Sequence, residues 1–195
     1  MLLVGLTGNI GSGKTTVCRL FSRLGIPVYH ADDRGKSFLD SSEVKDQLVE
    51  IFGTEVIDAS GNIDRQRLAG IVFHDKDKLQ QLNGIIHPLV RNDFKKWVAE
   101  QTEAPYVIEE AAILIETGHH EDFDKIILVT APEKLRIKRV CERDGVAENH
   151  VRQRARHQLE EKAKLSHAHF IIKNDEKHDL ISQVKEIHNQ LLEKT

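Results

Sequence analysis

The chain has 195 residues, of which 39% are hydrophobic and 30% are charged, and its formal net charge at pH 7 is −3. This length is somewhat long for one average domain and short for two, and it predicts one compact unit with an inserted subdomain. The slightly acidic balance gives no broad electrostatic reason to bind nucleic acid or a membrane surface, so we expect small molecules as partners.

Two cysteines, Cys18 and Cys141, lie far apart in the sequence and form neither a metal-spaced pair nor a redox motif. Isolated thiols of this kind are typical of the reducing cytoplasm, where we expect the protein to act, and we expect both to be core thiols. The apolar N-terminus has no basic segment, and a glycine-rich loop interrupts it after six residues. We therefore expect neither a signal peptide nor a transmembrane segment.

The first element is a short apolar run, Leu2 to Leu6, followed by a segment, Gly8 to Thr15, that fits the phosphate-loop pattern G-x-x-x-x-G-K-[ST] at every defined position. Glycine is needed there because backbone N–H groups must approach phosphate oxygens closely. Lys14 supplies a positive charge for the β- and γ-phosphates, and Thr15 supplies a hydroxyl for Mg²⁺. A helix predicted from Thr16 to Leu24 directs its positive end at the anion. A glycine-rich turn with a surface lysine would not require this pattern, so we predict a nucleoside triphosphate site.

Five short β-type runs are separated by helical patterns along the chain. They are Leu2 to Leu6, Pro27 to His30, Tyr106 to Glu110, Ile126 to Thr130 and His169 to Lys173. Alternation of strands and helices predicts an α/β fold with a parallel sheet, and strands covered by helices on both faces read as unbroken apolar runs.

A helical insertion is predicted between the second and third strands, where about seventy-five residues replace the roughly dozen that a crossover needs. Apolar residues recur at helical spacing around Val44 to Phe52 and Leu68 to Val72, with Asp64 as a candidate cap, and again after Pro88, which we expect at the first turn of a helix. An all-helical insertion beside a phosphate-loop sheet is a place to hold a second substrate.

A charged region follows the fourth strand. Pro132 begins a predicted helix, and the chain from Arg136 to Lys164 is dense in Arg, Lys, Glu and Gln with little apolar surface. One interpretation is a solvated pair of charged helices. The other is a mobile lid whose arginines close over phosphates and exclude water. The last helix, with Leu180 to Leu191, is expected to pack on the sheet.

Polar residues at the carboxyl ends of the strands are the first candidates for the site, because ligands of open parallel sheets bind there. Asp32 follows the second strand and is placed to orient an acceptor hydroxyl and take its proton. The alternative for Asp32 and Asp33 is to cap the next helix, which we expect for Asp33. Glu109 and Glu110 end the third strand, either to hold Mg²⁺ through water or to form a structural ion pair, for example with a lid arginine.

With these residues located, the chain resembles the dephospho-coenzyme A kinase family over nearly its whole length. The resemblance is carried by Gly5 to Thr15, Val28 to Asp32, Ile86-His87-Pro88, Ala112 to Glu116, Lys138-Arg139 through Arg143-Asp144, Gln158 and Asn174. The chain departs from the family's usual residues at His30, Ala112, Lys164 and His169.

The resemblance implies a three-layer P-loop kinase with a five-stranded parallel sheet, a helical substrate-binding insertion and a lid. It implies a single kinase domain, 1–195, with a core of 1–32, 104–135 and 166–195, a helical substrate-binding subdomain of 33–103 and a lid of 136–165. The implied reaction is ATP-dependent phosphorylation of the ribose 3′-hydroxyl of dephospho-coenzyme A, the last step of coenzyme A synthesis.

The resemblance also implies roles for individual residues. Asp32 would be the base, Lys14 would be catalytic, and Thr15 would hold Mg²⁺ through ATP. The implied ATP contacts are Gly11, Ser12, Gly13, Lys14, Thr15, Thr16, Arg139, Arg143 and Asn174, with Asn174 near the adenine. Asp32 would also contact dephospho-coenzyme A. His87, a lone histidine of the inserted segment, is either structural or a donor of a hydrogen bond to that substrate.

Two other functions compete with this one. Another nucleoside or nucleotide kinase would share the loop and lid and differ in what the helical insertion holds. A regulatory nucleotide switch would carry a guanine-specificity element of the Asn-Lys-x-Asp type, and the sequence contains none. We expect a monomer or weak homo-oligomer whose partners are ATP and dephospho-coenzyme A.

Overall fold

A computed structural model describes residues 1–72 and 74–194 of the chain, and these residues form two compact units. The first unit joins Met1–His30 to the described chain from Gln101 onward, and the second unit is Ala31–Glu100. The second unit therefore interrupts the first in sequence, directly after the second strand. The finer division into core, substrate-binding subdomain and lid stays a prediction.

The first unit is built on a parallel sheet, which has five strands in the part of the chain that the structure describes. The strands are β1 (Leu2–Thr7), β2 (Val28–His30), β3 (Tyr106–Glu110), β4 (Lys125–Thr130) and β5 (Phe170–Lys173). Their order across the sheet is β2-β3-β1-β4-β5, and each neighbouring pair is parallel. The predicted α/β fold with a five-stranded parallel sheet is confirmed, and β1, which leads into the phosphate loop, is the central strand.

Helices connect the strands of this unit. They are α1 (Lys14–Arg23), then, after the helices of the second unit, α6 (Glu133–Asp144), α7 (Glu148–Ala155), α8 (Glu161–Leu165) and α9 (Leu180–Leu192). Gly25, at φ +82°, follows the C-terminal turn of α1, as the sequence predicts. Pro132 precedes α6 directly, which confirms the predicted start of that helix.

The core of the first unit lies between the sheet and the helices α1 and α9. Its fully buried members include Val4, Leu6, Phe21, Ile127 and Ile172. Val184, Ile187 and Leu191 of α9 belong to the same cluster, which confirms the predicted packing of the last helix. The strands read as unbroken apolar runs because both of their faces are covered.

The second unit is helical. It contains α2 (Ala31–Phe38), α3 (Ser42–Phe52), α4 (Arg65–Val72) and α5 (Lys76–Ala99). Asp64 Oδ1 accepts hydrogen bonds from the backbone N–H groups of Gln66 and Arg67, which confirms the predicted cap of α4. Val44, Leu48, Val56 and Leu68 are buried in one apolar cluster of this unit. No helix within residues 1–72 and 74–194 is both long enough and apolar enough to span a membrane.

The prediction that Pro88 lies in the first turn of a helix is wrong, because α5 continues through it. A proline inside a helix loses one backbone hydrogen bond and crowds the carbonyl four residues earlier, at a cost of about 3 kcal/mol. That earlier residue is Gly84, whose permissive backbone accommodates the ring. Ile85 and Leu89, on either side of the proline, both pack on the apolar cluster of this unit. Packing on both sides therefore outweighs the local preference for a helix boundary.

Candidate active site

The phosphate loop, Gly8 to Gly13, runs from the end of β1 to the start of α1. Gly11 and Gly13 have φ values of +79° and +94°, a region that L-residues with a side chain rarely adopt. A Cβ on Gly11 would collide with the backbone oxygen of Arg136, and one on Gly13 would collide with the amide of Asn174. Both glycines are therefore required by backbone geometry and by close packing of the loop against other elements.

One wall of the loop is held by Gln158, which lies between α7 and α8. Its Oε1 accepts a hydrogen bond from Ile10 N–H at 2.7 Å, and its Nε2 donates to the carbonyl oxygen of Ala112 at 3.0 Å. Beside it, Asn9 Nδ2 donates to the carbonyl oxygen of Leu159 at 3.0 Å. This stretch of the charged region is thus hydrogen-bonded directly to the phosphate loop.

Replacing Gln158 by alanine is expected to lower the free energy of unfolding by about 1–3 kcal/mol, because two partly buried backbone groups lose their partner. The apparent KM for ATP should rise several-fold, since Ile10 is no longer held. Urea titration and steady-state kinetics measure the two effects. Gln153→Ala, which removes an exposed glutamine from α7, is the matched control and should change neither. Equal behaviour of the two variants would contradict a positioning role for Gln158.

Two further side chains bond to backbone oxygens of the loop. Arg136 of α6 donates from Nη1 to the oxygen of Ile10 at 3.3 Å and from Nε to the oxygen of Ala131 at 3.1 Å. Asn174, which follows β5, donates from Nδ2 to the oxygen of Ser12 at 2.8 Å. Because these bonds hold the backbone carbonyl groups of the loop, protein contacts help to preorganise its shape.

Three buried side-chain oxygens at the loop have no hydrogen-bond partner among the described residues: Thr7 Oγ1, Asn9 Oδ1 and Ser12 Oγ. A buried polar atom without a partner costs free energy, and native sites usually provide one in the form of a ligand, ion or water. These three oxygens are closed to solvent, whereas the glycine-rich turn beside them, at the N-terminus of α1, is the part of the loop that suits a bound polyanion. The residues present therefore fit a nucleoside triphosphate.

Lys14 lies at the start of α1 with its side chain 11% exposed, and its Nζ is 3.8 Å from Glu110 Oε1. Nζ also donates a hydrogen bond to the carbonyl oxygen of Gly8 at 3.1 Å. The other oxygen of Glu110, Oε2, is 3.0 Å from Nδ1 of His30. The Glu110 carboxylate therefore contacts both the ammonium of Lys14 and the imidazole of His30, and these contacts connect the start of α1 with the ends of β3 and β2. Glu110 forms an ion pair with the loop lysine, and not with a lid arginine.

Glu109 is buried on the other side of β3, with 1% of its side chain exposed. Its Oε2 is 3.4 Å from Nε2 of His119, and Nδ1 of the same imidazole is 3.0 Å from Asp122. The two glutamates that end β3 thus differ, because successive strand residues point to opposite faces of the sheet. Glu110 faces the phosphate loop, and Glu109 packs against the loop before β4.

The two arginines expected to contact nucleotide lie on α6 and already have protein partners. Arg139 donates from Nη1 to the carbonyl oxygen of Asn174 at 3.0 Å and forms an ion pair with Glu176 at 3.4 Å. Arg143 forms a two-pronged ion pair with Asp144, with a shortest distance of 2.6 Å. The Arg143 guanidinium lowers the pKa of the Asp144 carboxyl to about 2. Arg139 is therefore linked to the same residue, Asn174, that holds the loop.

The charged region, predicted to have little apolar surface, contains one small apolar core. The buried residues are Ile137, Val140 and Val151, with Ile10, Cys141 and Val146 packed against them. Because Ile10 belongs to the phosphate loop, this cluster fastens α6 and α7 to it. Of the two expected core thiols, Cys18 is buried and Cys141 is half-buried.

Lys164 of α8 is fully buried, and its ammonium pairs with Glu116 Oε1 at 2.7 Å. Desolvation by burial lowers the pKa of Lys164, and the bond to Glu116 opposes this shift. The same carboxylate oxygen accepts a hydrogen bond from Leu159 N–H at 2.9 Å. Glu116, in the segment that follows β3, therefore bonds to two residues of the charged region, Leu159 and Lys164.

Replacing Lys164 by alanine is expected to lower the free energy of unfolding by about 3–5 kcal/mol, because Glu116 keeps a largely buried charge without a partner. The double variant Lys164→Met with Glu116→Gln removes both charges and should recover much of the loss. Urea unfolding followed by circular dichroism measures both. Lys162→Ala, an exposed lysine of the same helix, is the control. Alanine favours a helix at least as well as lysine, so the control should lose little stability. A loss in the control as large as that in Lys164→Ala would show that the buried ion pair is not responsible.

Asp32 and His87, the residues expected to contact the acceptor, belong to the second unit. Asp32 lies in the first turn of α2, two residues after β2, and His87 lies in the middle of α5 beside Pro88. Asp33 also lies in that first turn, and its exposed carboxylate pairs with Lys36 at 2.7 Å. It is inside the helix rather than before it. A carboxylate in the first turn still favours the positive end of the helix.

The structure brings Gly11, Gly13, Lys14, Arg139 and Asn174 together in the first unit. Some of the residues that hold the phosphate loop in place were not predicted from the sequence. Arg136 carried no signal within a region rich in charge, and Asn9 seemed a variable position of the loop motif. The family resemblance did single out Gln158, without a role for it. Residues that hold a loop through backbone contacts follow no fixed spacing, so only a resemblance marks them.

The chain is similar to known proteins in both sequence and structure. A sequence model of the dephospho-CoA kinase family matches residues 2–179. Dephospho-CoA kinases of Porphyromonas gingivalis and Chlorobaculum tepidum are 41% and 40% identical to this chain. These matches cover 96% and 98% of this chain and 93% and 95% of the two relatives.

Among solved structures, TT1252 from Thermus thermophilus has a TM-score of 0.85 at 30% identity and covers 99% of this chain and 97% of that one. A shikimate kinase from Acinetobacter baumannii has a TM-score of 0.54 at 15% identity, with 100% of this chain and 95% of that chain covered, and it supports the fold alone. The family match spans the phosphate loop, both units and the charged region. The chain belongs to the dephospho-CoA kinase family.

Proposed function

We propose that this protein transfers the γ-phosphoryl group of ATP to the ribose 3′-hydroxyl of dephospho-coenzyme A, the last step of coenzyme A synthesis. The observation that carries the proposal is the family match over residues 2–179, supported by relatives of similar length that bear the name of this activity. The preorganised phosphate loop is the part of the chain that phosphoryl transfer requires.

The phosphate loop and the first turn of α1 bind the triphosphate in this proposal. Residues Gly11 to Thr16, from the loop and the first turn of α1, contact the phosphate oxygens, and Lys14 moves from Glu110 and Gly8 to the β- and γ-phosphates. Its present partners are a neutral carbonyl oxygen at 3.1 Å and the single carboxylate of Glu110 at 3.8 Å, and the triphosphate offers more negative charge than either. The lysine then stabilises the negative charge of the transferred group.

The acceptor hydroxyl is oriented by Asp32, which takes its proton as the oxygen attacks phosphorus. The chain passes directly from β2, at the carboxyl edge of the sheet, into the helix turn that holds this carboxylate. The bond from phosphorus to the β–γ bridging oxygen breaks, and ADP leaves with that oxygen. His87 contacts dephospho-coenzyme A from the helical unit in this proposal.

Mg²⁺ is proposed as the ion that accompanies ATP. The donor set fits, because Thr15 supplies a hydroxyl at the first turn of α1 and Glu110 supplies a carboxylate close to Lys14, and hard cations prefer oxygen ligands. When bound, Mg²⁺ neutralises charge on the β- and γ-phosphates. Thr15 would hold it directly through its hydroxyl, with the carboxylate acting through water.

Arg139, Arg143 and Asn174 are proposed to act on the nucleotide. Arg139 donates a hydrogen bond to the backbone oxygen of Asn174, and the Asn174 side chain donates one to the phosphate loop. Movement of α6 would therefore shift the loop. Arg143 would exchange its ion pair with Asp144 for the phosphates, and Asn174 would lie near the adenine. Charge-assisted bonds from guanidinium groups suit phosphate because their paired N–H groups match its oxygens.

A coupled assay of ADP release tests the proposed reaction. Dephospho-coenzyme A, adenosine, shikimate and nucleoside monophosphates are offered in turn with Mg·ATP, and we expect turnover with dephospho-coenzyme A above the others. Absence of turnover with it in a folded sample would reject the assignment. Turnover with another acceptor alone would favour a different kinase. Slow hydrolysis with no acceptor at all would favour a nucleotide switch.

The place of action and the oligomeric state belong to the same proposal. We place the enzyme in the cytoplasm, which agrees with its two free thiols, Cys18 and Cys141. We also expect a monomer or weak homo-oligomer that acts on small molecules and not on nucleic acid or a membrane.

A further inference from the structure

Beside the phosphate loop, three side chains of different chemistry converge. Cys18 lies one turn after Lys14 on α1, and His30 and Glu110 are the paired last residues of β2 and β3. One ligand atom from each, the Sγ, an imidazole nitrogen and a carboxylate oxygen, all lie within 4.8 Å of one another. The proposed kinase chemistry uses neither the thiol nor the imidazole.

We propose that Cys18, His30 and Glu110 form a binding site for a zinc-like divalent cation. Thiolate, imidazole and carboxylate are the three ligand types that Zn²⁺ takes, at bond lengths of about 2.0–2.3 Å. Tetrahedral bonds of that length separate ligand atoms by about 3.5 Å. The three side chains, whose ligand atoms lie within 4.8 Å of one another, therefore have to move closer together when the ion binds. A fourth position is left for water, as in open zinc sites.

The ligand set selects against Mg²⁺, because hard cations prefer oxygen and avoid thiolate. Access comes from His30, whose side chain is 41% exposed, whereas Cys18 is buried and the Glu110 side chain is 10% exposed. Binding forms one bond each to sulfur, nitrogen and oxygen. The thiol proton of Cys18 passes to water, and the imidazole binds in its neutral form.

The site has a consequence for the phosphate loop. Glu110 Oε1 lies 3.8 Å from Lys14 Nζ, so a cation bound to this carboxylate competes with the ammonium for it and repels it. A bound zinc-like ion therefore displaces the lysine and disturbs the triphosphate site. The binding of the ion does not depend on the proposed function, whereas an effect on phosphoryl transfer does.

Cobalt(II) chloride is the probe, because Co²⁺ replaces Zn²⁺ in tetrahedral sites and shows a near-ultraviolet charge-transfer band when a thiolate is a ligand. In Mg²⁺-free buffer we expect the wild-type protein to develop this band and to lose it on addition of zinc chloride. Cys18→Ser should abolish the band. Cys141→Ser, which removes the other thiol, is the matched control and should retain it.

A second variant covers the risk that Cys18→Ser disturbs the core. His30→Gln changes a half-exposed side chain and keeps the thiol, and we expect it to weaken Co²⁺ binding at least about tenfold, since even outer-shell partners are worth about ten- to a hundredfold. Lys14→Ala should strengthen binding about tenfold, because a competing cation is removed. A general loss of folding would not strengthen binding.

The proposal is overturned if the wild-type protein shows no thiolate band, if the band survives in Cys18→Ser, or if it disappears in Cys141→Ser. Unchanged affinity in His30→Gln also overturns it. Unchanged affinity in Lys14→Ala would reject the competition with the ammonium. None of these measurements uses kinase activity. If the proposed function is wrong and the metal site is right, the protein binds the metal normally and shows no turnover, so the two failures can be distinguished.

Discussion

Replacing Asp32 by asparagine is expected to lower kcat by about two to four orders of magnitude while leaving the affinity for Mg·ATP largely intact. The amide keeps the size of the side chain but cannot accept the proton of the ribose hydroxyl. In the proposed function the triphosphate binds at the phosphate loop, which belongs to the other compact unit. Steady-state assays with dephospho-coenzyme A give kcat, and calorimetry with a non-hydrolysable ATP analogue gives the dissociation constant.

Asp33→Asn is the matched control for this change, because both residues lie in the first turn of α2. The Asp33 side chain is 73% exposed and pairs with Lys36, so its loss should alter kcat no more than a few-fold. Equal losses in the two variants would assign the effect to the charge of the helix end. Full activity of Asp32→Asn would place the base on another residue.

Replacing Lys14 by alanine is expected to lower kcat/KM for ATP by about two to three orders of magnitude, the loss typical of removing one donor that stabilises transition-state charge. Two cations of the described chain lie near this part of the molecule, and neither replaces the ammonium without moving, because Arg136 is bonded to a backbone oxygen and Lys164 is paired with Glu116. Kinetics over a range of ATP concentrations separate the effects on binding and on transfer.

Arg19→Ala is the control for the lysine, because it removes an exposed cation from the same helix. It should leave kcat/KM within a few-fold of the wild-type value. Lys14→Arg is not expected to restore activity, since the broad guanidinium does not fit the position of a compact ammonium. Unimpaired activity of Lys14→Ala would contradict the role of the phosphate loop itself.

The strands could be predicted closely because their signal is local. The run Ile126 to Thr130 was predicted and β4 is Lys125–Thr130, and β3 has the predicted bounds Tyr106–Glu110. Buried parallel strands need continuous apolar sequence, and that requirement is visible in a few residues. The predicted helix boundary at Pro88 is wrong, because apolar contacts on both sides of the proline outweigh its preference for the first turn of a helix.

The candidate site likewise has one part that is visible in neighbouring residues and another that depends on the fold. The loop motif with Lys14 and Thr15 is contiguous, so the sequence alone identifies it. The partner of Lys14 required the fold, because Glu110 reaches the loop only through the order and register of the strands. The chain offers two adjacent glutamates, and the alternation of strand side chains decides which one faces the loop.

By itself the sequence determined the phosphate loop, the parallel α/β fold and the family, since each depends on neighbouring residues or on a pattern along the whole chain. Only the tertiary structure decided what holds the loop. Gln158 and Ile10 are 148 positions apart, and Asn174 and Ser12 are 162 apart. Contacts at such separation depend on how helices and strands pack, and side-chain hydrogen bonds to backbone leave no periodic trace in the sequence. The same packing places the side chains of Cys18, His30 and Glu110 next to one another. Their spacing in the sequence does not indicate this cluster.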